Sequence, residues 1–113
     1  HLMEVCKGSG VRAQVDFSAL PLLARAREFA DDGCVTGASG RNWASYGQNV
    51  QLADGLGDIE KALLTDPQTS GGLLVSCTPD TVTEVLSIFL QQGFSHVSVI
   101  GEIVAGEPAI VVS

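Results

Sequence analysis

Positive charge is scarce in this 113-residue chain: six Lys and Arg stand against thirteen Asp and Glu, a formal net charge of −7. Phosphate backbones are gripped by clustered cations that displace counterions, so this balance speaks against a nucleic-acid partner. It speaks equally against docking on an anionic membrane surface. No apolar run approaches the roughly 20 residues that cross a bilayer. The opening His1-Leu2-Met3-Glu4 lacks the basic-then-apolar order of a secretory leader. Aromatic residues make up only 5% of the chain, so Leu, Val, Ile and Ala must fill most of any core.

The cysteines are few and badly placed for chemistry. Cys6, Cys34 and Cys77 are far apart and odd in number, no Cys-x-x-Cys occurs, and His1 and His96 are remote from each other. That spacing argues against a zinc site or a catalytic thiol. Buried or half-buried free thiols in a reducing, cytoplasmic setting are expected instead, with no metal site in the chain. A Walker loop is missing too: no Gly-x-x-x-x-Gly-Lys-Ser/Thr is present. The Gly33–Gly40 stretch has neither the glycine spacing nor the preceding strand of a dinucleotide fingerprint.

What is present is globular. Apolar residues form 45% of the chain and charged residues 17%, and the length suits a single domain over 1–113. His1–Lys7 reads as the last turns of a helix that began upstream, stopped by Gly8-Ser9-Gly10. Val11–Phe17 alternates, with Val11, Ala13, Val15 and Phe17 on one face, as a half-buried strand does. Ser18 offers an N-cap to a helix running to Ala30, with Pro21 near its start. Cys34–Gly57, rich in glycine and polar residues, reads as an ordered loop with a short helix around Trp43–Tyr46.

A short helix over Asp58–Leu64, capped by Asp58, leads into the turn-rich loop Thr65–Gly72 and a buried strand Leu73–Cys77. Thr78 then caps a helix to about Gln92, with Pro79 at its first position. Val97–Val104 and Ala109–Val112 close the chain as strands around the turn Ala105–Pro108. Helices interleaved with strands in this order predict an α/β (α+β) domain, a mixed sheet flanked by helices.

The Thr65–Gly72 loop holds the most chemical information. Asp66-Pro67 forces an extended or turned backbone, Gly71 and Gly72 allow close approach, and Thr69 and Ser70 add hydroxyls. Consecutive amides in such a turn can form an anion-binding nest, or Asp66 and Thr69 can simply cap their own backbone. Arg41 and Asn42 form the second candidate pair. A guanidinium can clamp a phosphate, or Arg41 can pair with a surface acid while Asn42 caps a turn. Trp43 and Tyr46 read as packing anchors ahead of a nucleotide-stacking pair.

Leu63-Leu64-Thr65-Asp66-Pro67-Gln68-Thr69-Ser70-Gly71-Gly72-Leu73-Leu74 resembles the signature of the selenophosphate synthetases. Gly37-Ala38-Ser39-Gly40-Arg41-Asn42-Trp43-Ala44-Ser45-Tyr46-Gly47 is similar to a second segment of that family, and His1-Leu2-Met3-Glu4 to the helix after its "TGFGLLGH" motif. The resemblance implies the carboxy-terminal domain of a two-domain enzyme in the aminoimidazole ribonucleotide synthetase-like superfamily. The fold it implies has partial likeness to a ferredoxin-like sheet. Such enzymes make selenophosphate, AMP and phosphate from ATP, selenide and water with Mg2+, and form homodimers. Their catalytic Cys or selenocysteine, essential Lys and metal-binding aspartates belong to the amino-terminal domain, outside these residues.

On that resemblance no catalytic or metal residue is expected here, and the fragment alone is expected to be inactive. Asp66, Thr69, Ser70, Gly71, Gly72, Arg41 and Asn42 are expected to line a cleft facing ATP. The expected partner is the chain's own amino-terminal domain. A related ATP-dependent synthetase of the same superfamily and a non-catalytic interaction domain remain as alternatives.

Overall fold

The alternation of Val11–Val15 produces strand β1, whose Ala13 and Val15 are buried while Gln14 faces solvent. In the computed structural model, which describes all residues from His1 to Ser113, β1 is an inner strand of a four-stranded sheet. Its neighbours are β3 (Gly101–Ala105), antiparallel with Val11 opposite Ala105, and β4 (Ala109–Val112), parallel with Ala13 opposite Ile110. Strand β2 (Val50–Leu52) lies parallel on the far side of β4, giving the order β2-β4-β1-β3. The fold is therefore α+β: a mixed sheet with five α-helices.

Helix α1 (Leu2–Ser9) lies against β4 and β1. Its Met3 and Cys6 point inward, and Gly10 closes it by donating to the Cys6 carbonyl. Met3, Cys6, Ala13, Val15 and Val112 form the buried core, with Leu2, Phe17, Leu20, Tyr46, Val50, Leu52, Leu56, Leu64 and Ile110 packed around them. Gly101 is required where β3 meets β1: a Cβ there would stand 2.0 Å from the Gln14 carbonyl oxygen.

Several expected elements change shape, each for a local reason. The Ser18–Ala30 helix contracts to a 3-10 turn at Phe17–Ala19 and a short α2 (Ala26–Asp31). Pro21 disfavours helical geometry at the residue before it, and Leu20 is extended at ψ 124. Ser18 does not cap. Asp16 accepts its amide and hydroxyl instead.

The Cys34–Gly57 stretch is more ordered than its composition implies, forming α3 (Gly37–Tyr46) and β2. Thr36 starts α3 by accepting the Ser39 amide, an N-cap that satisfies an otherwise orphan donor. Helix α4 (Asp58–Thr65) appears where expected, but Gly57 is the cap. Glu60 reaches back to the Gly57 amide at 2.8 Å, one half of a capping box, since glycine has no side chain to return the bond.

Leu73–Cys77 is not a strand. It lies exposed, with Leu73 at 82% exposure, and its amides make no backbone hydrogen bond. Pro79–Thr81 forms a 3-10 turn leading into α5 (Val82–Gln91), and the strand expected from Val97 begins only at Gly101. Cys34 and Cys77 are exposed, against the expectation of buried or half-buried thiols, and only Cys6 is buried.

Candidate functional site

Helices α3 and α4 pack together; α3 carries the Arg41-Asn42 pair, and the Asp66–Gly72 loop follows the end of α4. Trp43 of α3 is half-buried, with the Lys61 ammonium of α4 5.6 Å from its ring centroid. Lys61 also pairs with Asp58 at 2.5 Å, and this partner holds the Asp58 carboxyl below its ordinary value. An open cleft of about 420 Å3 runs along the seam, lined by Val35, Ser39, Trp43, Ala62 and Thr65 with Asp58 and Lys61 on its wall.

On the far side of α4, Glu60 is buried and bonded to Arg27 of α2. The Gly57 amide, Glu60's own amide and then Arg27 together lower its carboxyl pKa. At the end of α3, the Tyr46 hydroxyl donates to Glu4 at 3.1 Å while Lys7 lies 5.3 Å from its ring centroid. The Glu4 carboxylate raises the Tyr46 pKa, first as acceptor and then as charge. Tyr46 packs against the core, so both aromatics anchor α3 to its neighbours.

The Asp66–Gly72 loop leaves α4 at Asp66, which is extended at ψ 136 as a residue before proline prefers. Asp66, Thr69, Ser70, Gly71 and Gly72 are all exposed. Gly71 donates to the Gln68 carbonyl at 3.4 Å, whereas the amides of Gln68, Thr69, Ser70 and Gly72 have no backbone acceptor. A Cβ on Gly71 would meet the Gln68 side chain at 2.6 Å. The loop thus presents amides and hydroxyls to solvent, a donor set suited to an anion.

Arg41 and Asn42 divide. Asn42 donates its side-chain amide to the Thr65 carbonyl at 2.8 Å, so it meets the loop at its root. Arg41 forms no ion pair and no ring contact, unlike the surface cations Arg25, Arg27 and Lys61, each paired with an acid. The surface-acid pairing considered for Arg41 is absent, and its guanidinium is exposed. No group of three or more His, Cys, Asp or Glu comes together. No helix is long and apolar enough to cross a membrane.

Sequence reasoning passed over Glu60. Its signal was the spacing from Gly57, three residues earlier, which is that of a capping acid.

The family model described as AIR synthase related protein, C-terminal domain, matches residues 1–113. The chain is similar to a "Selenide, water dikinase" of Dechloromonas aromatica (strain RCB), 70% identical over 110 residues, which are 97% of this chain and 32% of that protein. A protein of the same name from Pseudomonas straminea is 53% identical over 112 residues, covering 99% of this chain and 31% of its own. One from Yersinia pestis is 44% identical over 107 residues, 95% of this chain and 30% of its own. The chain thus spans about a third of the length of the curated relatives it matches.

Proposed function

Because the chain belongs to the family of AIR synthase related protein, C-terminal domains, we propose that it is the carboxy-terminal part of a selenide, water dikinase. In this reading the whole polypeptide makes selenophosphate, AMP and phosphate from ATP, selenide and water. The observation that carries it is 70% identity across 97% of the chain to a protein of that name. The Asp66–Gly72 loop adds an anion-seeking surface to that identity.

ATP supplies the phosphoryl group. This chain's own work is to bind and orient. The Arg41 guanidinium, unpaired and exposed, offers a forked donor for phosphate oxygens. The Thr69 and Ser70 hydroxyls and the open loop amides add neutral donors. Phosphoryl transfer relies on positioned positive charge, and toward it this chain supplies the exposed Arg41, which has neither an acid nor a ring partner. Metal binding and the reacting groups are assigned to the rest of the polypeptide, with homodimer contacts.

The surface supports a partner body. The chain exposes 7700 Å2, whereas a compact monomer of its mass exposes about 5,900 Å2. A covering domain of the same polypeptide accounts for that excess, and three free cysteines accord with a cytoplasmic setting.

The test is AMP formation from ATP by the full-length polypeptide with and without selenide. Selenide-dependent AMP is expected. ATP turnover that ignores selenide and answers to a purine intermediate would assign the chain to another synthetase.

A further inference from the structure

We infer that Asn42 is a positioning residue, whose side-chain amide pins the carboxy-terminal end of α4 and so sets where the Asp66–Gly72 loop leaves the fold. This rests on the reading above only in taking the loop to face the ligand. The bond itself stands on geometry. Helix α4 ends without the usual devices: no glycine follows it and its last turn holds no basic residue. The carbonyls of a last turn lack helical donors and need partners from elsewhere. The Thr65 hydroxyl turns back to the Lys61 carbonyl at 2.7 Å, leaving the Thr65 carbonyl to be met from outside the helix.

Asn42 meets it, from 23 residues away, at 2.8 Å. A carbonyl only accepts, so the atom facing it must be the NH2 group. The donor is mounted on α3, which Thr36 caps at one end and the Trp43–Lys61 contact fastens to α4. The next residue, Asp66, is the first of the loop. The two members of the Arg-Asn pair therefore take different parts: Arg41 is free to touch an anion, while Asn42 is already engaged and acts through the loop.

The test uses the full-length polypeptide with Asn42→Ala, and with Asn42→Gln, which keeps the donor on a longer arm. A net hydrogen bond of ordinary strength corresponds to about a fivefold change in a local equilibrium. In Asn42→Ala, hydrogen exchange at the amides of Leu63, Leu64 and Thr65 should rise by about that factor, with Trp43–Tyr46 unchanged. The kcat for selenide-dependent AMP formation should fall by about as much with KM for ATP unchanged, and Asn42→Gln should recover part of both.

A raised KM with unchanged exchange would mean that Asn42 touches the ligand, overturning the inference. Unchanged exchange and kinetics would mean that the bond carries nothing. Faster exchange with normal kcat would overturn the link to the loop. Should the unaltered protein show no selenide dependence, the functional reading fails, while the exchange arm still decides whether Asn42 anchors α4.

Discussion

Residues 1–66 with the last two strands form one packed region, and residues 67–100 lie against it as a second. All seven buried residues belong to the first, and none to the second. Both are rich in Leu, Val, Ile and Phe, so the difference is not one of hydrophobic content. In the first, apolar faces meet: α1 covers β1 and β4, and α3 covers α4. In the second, Leu73, Leu74, Val75, Ile88, Leu90, Phe94 and Val99 are all exposed. Apolar patterning says which residues favour burial, and only the packing partner decides whether burial happens.

Gly101→Ala attacks the packed region hardest. Its Cβ would collide with the Gln14 carbonyl and force β1 and β3 apart, a loss of about 3 kcal/mol measurable by urea unfolding. Val112→Ala, at 1% exposure, empties part of the core and should cost about 2 kcal/mol. Leu73→Ala in the same assay should change stability by less than about 0.5 kcal/mol. Equal losses at Val112 and Leu73 would show that the second region is buried in solution, and the contrast would collapse.

Acid sharpens the comparison with a smaller effect. Glu60 and Asp80 both have lowered pKa values, from ordinary values of 4.5 and 3.8. Each therefore adds stability that is present above its unfolded value and disappears as pH falls through the folded one. Glu60 ties α4 to α2 through Arg27, whereas Asp80 is held by Thr78 in its own turn and by its own amide. Glu60→Gln should therefore flatten the loss of melting temperature below pH 4.5 more than Asp80→Asn does.

The same contrast explains what was legible in the sequence. Strand β1, β4 and helices α4 and α5 follow from alternation, apolar stripes and stops written in their own residues. The caps differ: Gly57 rather than Asp58 starts α4, and Thr78 starts a 3-10 turn with no side-chain cap bond. Helix α3 hid because Gly37, Ser39, Gly40 and Ser45 are poor helix formers. It is held instead by the Thr36 cap and by contacts to α4 and α1, which no local window contains. Leu73–Cys77 has strand composition but no strand beside it. At the site, the loop and the Arg-Asn pair were visible as motifs, whereas the bond that gives Asn42 a different part from Arg41 spans 23 residues and belongs to the tertiary structure.

Trp43 is the only tryptophan in the chain, and it sits half-buried on the α3–α4 seam with an ammonium over its ring. The seam therefore carries an intrinsic fluorophore. Indole emission excited at the red edge, where tyrosine does not absorb, will follow the root of the Asp66–Gly72 loop with no label attached. Any event that slides α4 along α3 is translated into a change of colour and intensity at one known position.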